Sequence, residues 1–308
     1  MSPSIPTPNR SFVGLFASVA ILAIALMTPS AHGQIFVTTS TGVAEYNLDG
    51  TLANASLISG SGFGGIAVSG SDLFVTNTST GTVGKYNAFT GSAINASLIS
   101  GLSWPNSIAV SGSNLFVSNG NSVGEYSTSG NVVDASLISK APSASFDGIA
   151  VSGSDLYLAT HLSPMSMAVI KYPTSGGAGT TLIQWATSHT DPVAASGSNL
   201  FTVYQFGVGE YDASGGTVAV PLVSGLDSYP IGIAESGSDL FVLTNSTIGQ
   251  YNAFTGAAIN ASLVSGLSSL NGGFAVEGTA VPEPSTYAAI LGFVSMGFVM
   301  IRRRFVRK

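Results

Sequence analysis

Ile66-Ala67-Val68-Ser69-Gly70-Ser71-Asp72-Leu73-Phe74-Val75 decides the fold. It reads as two short strands of β-branched and aromatic residues around a tight turn. Gly70 can take the positive φ that the turn needs, and Asp72 can close it with its side chain. The first triplet returns as Ile108-Ala109-Val110, Ile149-Ala150-Val151, Val193-Ala194-Ala195, Ile233-Ala234-Glu235 and Phe274-Ala275-Val276, always with alanine at its centre. A Ser-Gly-Ser-Asp or Ser-Gly-Ser-Asn turn follows most copies, at 69–72, 111–114, 152–155, 196–199 and 236–239.

Outward from that core, each copy adds two more short runs. One ends on Tyr46, Tyr86, Tyr126, Tyr172, Tyr211 or Tyr251, and the next carries Leu57-Ile58, Leu98-Ile99 or an equivalent pair. Four short strands in a unit of roughly 41 residues match a β-propeller blade. The alanine column suits an innermost strand, where the sheets converge. The aromatic column (Phe36, Phe74, Phe116, Tyr157, Phe201, Phe241) suits the wider space between neighbouring sheets.

Phase separates a ring from an open array. The first copy starts in its second strand, at Ile35-Phe36-Val37, and the last stops after its first, at Phe274-Ala275-Val276. Together the two fragments make one blade, so the expectation is an all-β, six-bladed propeller whose C-terminal strand closes the ring. A β-solenoid would instead need atypical capping units at both ends. The strand spacing is similar to that of the NHL and SMP-30-type propeller families, an analogy of fold that carries no function.

Composition agrees with strands and turns. Charged residues are only 8% of the 308, against about 25% in ordinary soluble domains. Between Gln34 and Val281 stand three lysines and fourteen acidic residues, a net of −11. Such a surface repels phosphate backbones, so nucleic acid is not an expected partner. The chain has no cysteine. Disulfides, thiolate zinc sites and a cysteine nucleophile are thereby excluded.

The two ends read as addresses rather than fold. Arg10, the apolar run 12–27 and Ala31-His32-Gly33 form a secretory signal with a cleavage site before Gln34. At the other end, Pro282-Glu283-Pro284 precedes an apolar run at 287–301 and the stop-transfer cluster Arg302-Arg303-Arg304. Fifteen apolar residues are short for a span, but the arginines and Tyr287 anchor both edges. This arrangement resembles the PEP-CTERM sorting signal. The resemblance implies processing by exosortase in a Gram-negative-type bacterium that makes extracellular polysaccharide. The expected division is a signal peptide at 1–33, a propeller at 34–280 and a sorting tail at 281–308, with a basic end at 302–308.

No catalytic constellation stands out, and no cofactor or metal is expected. Gly60-Ser61-Gly62-Phe63-Gly64-Gly65 fits G-x-G-x-x-G literally but leads into a strand, whereas a dinucleotide site needs a helix there. Asn54-Ala55-Ser56 and its repeats fit a glycosylation sequon, and turn chemistry before strand four accounts for them. Polar and aromatic residues do gather in loops assigned to one face. His161 is placed in the turn between strands two and three, and His189 on the approach to an innermost strand. Asn106, Asp147 and Asp191 each stand two residues before a first-strand apolar residue. Trp104, Phe146, Trp185, Tyr204 and Tyr229 lie in loops of the same kinds. Carboxylate, amide and imidazole groups beside aromatics suit a sugar or a hard cation. They equally suit ordinary turn formation and loop packing.

The sequence therefore predicts an exported, exosortase-sorted structural or binding propeller that passes through the inner membrane. Its destination is the cell surface or matrix, with exopolysaccharide as an associate. The competing expectation is a hydrolase or lyase of the lactonase or streptogramin-lyase kind, with a metal in the central channel.

Overall fold

A computed structural model describes residues 33–120, 122–139, 146–163, 166–185, 192–204 and 206–278. The expected signal peptide, Pro282-Glu283-Pro284, the apolar run, Arg302-Arg303-Arg304, His189 and Asp191 lie outside them. The compact unit Gly33–Gly278 holds six four-stranded antiparallel sheets. Five are consecutive in sequence, at 63–99, 108–139, 146–185, 193–223 and 232–265, and are called blades one to five.

The sixth blade closes the ring. Its innermost strand, Leu270–Glu277, pairs with Gln34–Thr39, which continues through Gly42–Asn47 to Leu52–Ser59. The register sets Ile35 against Val276, Phe36 against Ala275 and Val37 against Phe274. Residues more than 230 apart in sequence thus share one sheet, as the phase of the repeat requires.

Side-chain size rises from the innermost strand to the second in each blade. In blade one, Ala67 lies beside Phe74, Phe74 beside Lys85 and Lys85 beside Asn95. Cross-strand partners share a sheet face, so this row faces the next blade. Ala67 joins Phe74, Ile108 and Leu115 in one apolar cluster, which spans blades one and two. Near the axis only a methyl group fits between converging sheets. One strand further out, the phenyl ring fills the gap and is fully buried. Burying each such ring contributes about 1.5–3 kcal/mol. Phe36, Phe116, Tyr157, Phe201 and Phe241 repeat the arrangement at 0–2% exposure.

Four of the third-strand tyrosines, Tyr86, Tyr126, Tyr211 and Tyr251, fold over a glycine two positions earlier, whereas Tyr46 and Tyr172 follow Ala44 and Ile170. A Cβ on Gly84, Gly124 or Gly249 would lie 2.6–2.7 Å from the ring of Tyr86, Tyr126 or Tyr251. Burial pushes the phenols of Tyr46, Tyr86, Tyr126, Tyr172, Tyr211 and Tyr251 up.

A complementary polar column runs beside them. Lys85 meets Asp72 at 2.7 Å and Lys171 meets Asp155 at 3.5 Å. Asn114 donates to Glu125 at 2.8 Å, Gln34 donates to Glu45, and Gln250 donates to Asp239 at 2.7 Å. Where the third strand carries lysine the second carries aspartate, and where it carries glutamate the second carries an amide.

The Asn-Ala-Ser segments correct the sequence reading. They lie inside the outermost strands, not before them: Asn54 within Leu52–Ser59, Asn95 within Ala93–Ile99 and Asn260 within Ala258–Ser265. In each, the asparagine oxygen accepts from the serine N–H two residues on, at 3.0–3.2 Å. That bond occupies backbone freed where the ladder shifts register, so the motif builds a β-bulge. Asp134 does the same with Ser136 in blade two.

Candidate ligand site at the channel mouth

Each innermost strand begins on one face of the ring, and the hairpins joining second to third strands turn on that same face. The backbone leading into the innermost strands is held by hydroxyls from the second strands. Gly273 N donates to Thr38 Oγ1 at 2.9 Å, and Asn106 N and Ser107 N donate to Ser118 Oγ at 3.1 and 2.8 Å. Thr76 donates to Gly65 O at 3.3 Å, and Thr202 to Pro192 O at 3.2 Å. Ser107 Oγ accepts from Ile149 N at 3.1 Å, which ties blade two to blade three. Thr38, Thr76, Ser118 and Thr202 are buried, so each needs these bonds to offset its desolvation.

This framework surrounds a cavity of about 400 Å³ touched by all six innermost strands. Its polar lining includes Asn106, Asp147, Asn245 and Asn271, with backbone at Gly65, Gly148, Gly232 and Gly273. Glycine is needed where blades nearly meet. A Cβ on Gly65 would stand 2.6 Å from Asn106 O, and one on Gly273 would stand 2.1 Å from Gly64 O.

Asp147 and His161 come together. His161 Nε2 lies 3.3 Å from Asp147 Oδ2, and the aspartate side chain is only 8% exposed. His161 is not in a turn, as the sequence suggested, but within the strand Asp155–Ser163, opposite Met167. The hairpin of blade three is longer than the others, so its second strand carries the imidazole to Asp147, which lines the cavity. Among the described residues, no three of His, Cys, Asp and Glu gather as a metal would require.

The aromatics divide. Phe146 is a core residue of blade three, not a loop residue, and Trp185 ends an outermost strand packed on the core between blades three and four. Trp104 projects from the loop between blades one and two and is 75% exposed. It borders a second cavity of about 450 Å³ with Ser40, Thr78, Asn106 and Asn271. Tyr204 ends a second strand in blade four, and Tyr229 meets exposed Phe206 edge-on at 6.2 Å. Tyr229 lies between blades four and five, three junctions from Trp104, so aromatic surfaces flank the mouth on opposite sides.

Sequence reasoning missed Asn245 and Asn271. Asn271 Nδ2 donates to Thr39 O and Phe63 O, both at 2.9 Å, so it bridges the closing blade and blade one. Its one sequence signal is the Asn-Gly-Gly step before Phe274.

At the far end of the innermost strands stand Glu235 and Glu277. Burial pushes both carboxyls up, partly offset by bonds to Ser196 and to Gly70 backbone.

Residues 280–304 match the PEP-CTERM protein-sorting motif. The motif marks the chain for export, with a C-terminal membrane anchor before exosortase cleavage. No curated protein matches the chain in sequence. Among solved structures, a chain of the nidogen/laminin complex superposes with a TM-score of 0.65 at 14% identity, covering 80% of this chain and 98% of that one. A gluconolactonase from Xanthomonas campestris superposes with a TM-score of 0.56 at 12% identity, covering 76% and 86%. At these identities the likeness is one of fold.

Proposed function

We propose that this exosortase-sorted propeller is a non-enzymatic binding or structural module of the cell surface or extracellular matrix, and that it takes its ligand at the channel mouth. The sorting motif at 280–304 carries the reading, because it gives the propeller an address outside the cell. The site chemistry agrees. Amides and backbone groups dominate the mouth, and they suit recognition of a polar ligand better than bond cleavage. Extracellular polysaccharide is the partner that the sorting route favours. Replacing Pro282-Glu283-Pro284 by alanines in the native host tests the reading. The altered protein is expected to stay in the membrane fraction, unprocessed, while the parent reaches the surface or medium. Unchanged processing and location would refute it.

One observation favours a second reading. The buried Asp147 beside His161 is a carboxylate–imidazole pair suited to orienting a base or a ligand in a hydrolase. A metal-dependent lactonase-like activity would further require Asp191 to join Asp147. Lactone hydrolysis abolished by both Asp147→Asn and Asp191→Asn would establish it.

A further inference from the structure

We propose that the groove beside Trp104 binds a neutral saccharide, with the indole as its stacking platform. The inference rests on the channel-mouth face being a ligand site and names the ligand class.

Trp104 is held where a tryptophan costs most. Its φ is +52°, a region that bulky residues avoid, and it precedes Pro105, which favours extended backbone. The indole is nevertheless 75% exposed, so apolar burial does not offset that cost. The loop is clamped on both sides. Ser103 N donates to Asn119 Oδ1, and Asn106 N and Ser107 N donate to Ser118 Oγ. Outliers fixed by surrounding structure concentrate at ligand clamps.

The groove's volume of about 450 Å³ lies in the usual range of small-ligand sites, about 300–1,000 Å³. No titratable side chain lines it; Ser40, Thr78, Asn106 and Asn271 provide its polar surface. Asn271 commits its amide hydrogens to Thr39 O and Phe63 O, which leaves its oxygen as an acceptor. Asn106 offers both a donor and an acceptor. An anionic ligand would find no cation here and would face a body of net charge −11. A wholly apolar ligand would leave the amides unmatched. A pyranose ring meets both requirements, with C–H groups on one face for the indole and hydroxyls around its edge for the amides. Asn106 and Asn271 also line the channel cavity, so a longer saccharide continues from the groove into the mouth.

The chain has two tryptophans, which makes the test direct. In the exported protein carrying Trp185→Phe, Trp104 is the sole indole reporter. It is titrated with neutral gluco-, manno-, galacto- and N-acetylglucosamine hexasaccharides and with oligogalacturonate. A neutral sugar is expected to shift the emission saturably, and oligogalacturonate is not. By calorimetry, Trp104→Ala in the otherwise unchanged chain weakens that sugar roughly tenfold or more, as loss of a central aromatic anchor does. The exposed position leaves the fold intact, which circular dichroism verifies. The proposal is overturned if no neutral sugar perturbs Trp104 at millimolar concentration, if the acidic sugar binds as tightly, or if binding survives Trp104→Ala. Binding lost with Asn106→Ala but kept with Trp104→Ala would overturn the platform while leaving the face a ligand site.

Discussion

A disulfide across the closing blade measures how far the ring depends on its C-terminal strand. Thr39 pairs with Leu270. Antiparallel partners stand about 4.5–5.5 Å apart at Cα, within the roughly 4.4–6.8 Å that a disulfide spans. The native chain has no cysteine, so Thr39→Cys with Leu270→Cys allows a single pairing. The bridge closes a loop of roughly 230 residues, for which the chain-entropy relation gives about −18 cal/mol/K, or about 5.5 kcal/mol at 25 °C. Engineered bridges usually deliver less, so about 2–4 kcal/mol is expected. For a domain of this size about 3 °C accompanies each kcal/mol, a rise of about 6–12 °C in Tm. Oxidised and reduced samples of the same double variant are compared by near-UV circular dichroism, so any cost of replacing Leu270 cancels. Failure of the bridge to form in the folded protein, or equal midpoints in the two states, would refute the closure.

Gly273→Ala places a methyl 2.1 Å from Gly64 O and 2.5 Å from Thr38 Oγ1, across a junction of the ring. Overpacking of about 1–3 kcal/mol plus about 1 kcal/mol for the disturbed Thr38 bond predicts a loss of about 2–4 kcal/mol in urea unfolding; a loss below about 1 kcal/mol would contradict the close approach. The pH dependence follows from Glu45, Glu125, Glu210, Glu235 and Glu277, all pushed above the ordinary 4.5 by burial. A raised acid binds more protons folded than unfolded, so their contribution falls as pH rises above the ordinary value. Asp49, Asp212 and Asp227 are pushed below 3.8 and act in the opposite direction under more acidic conditions. Tm is therefore expected to rise as pH falls from neutral toward 4.5 and to fall again below 3.8. A profile with no rise between neutral pH and 4.5 would remove the role of the buried glutamates, and Glu125→Gln is expected to flatten part of it.

The ring was legible because its constraints repeat. Ala67 and its five equivalents mark where sheets converge, and the phase of Ile35 against Val276 announces closure. The outer strands were less legible. Asn54-Ala55-Ser56 reads as a turn because the same side-chain-to-backbone bond serves turns and bulges alike. His161 was misplaced because one hairpin is longer than its siblings, and the repeat predicts only the common length. The channel mouth was half legible. Asn106 and Asp147 stand at a repeated offset before the innermost strand, whereas Asn245 and Asn271 do not. Thr38, Thr76 and Ser118 each follow their aromatic residue by two positions, a column that three copies share, whereas Thr202 follows Phe201 by one, and only the structure shows that these hydroxyls hold the rim. The exchange of Lys with Glu beside Asp or amide was visible in the sequence, but only the register shows that these positions meet.

The most direct test of the whole account is the intact mass of the protein recovered from the native host and from a strain lacking exosortase. Processing predicts that the host's exported protein begins at Gln34 and has lost the apolar run and arginines that follow Pro282-Glu283-Pro284. The strain without exosortase is predicted to retain them on a membrane-bound chain. The same C-terminus in both strains would contradict the account.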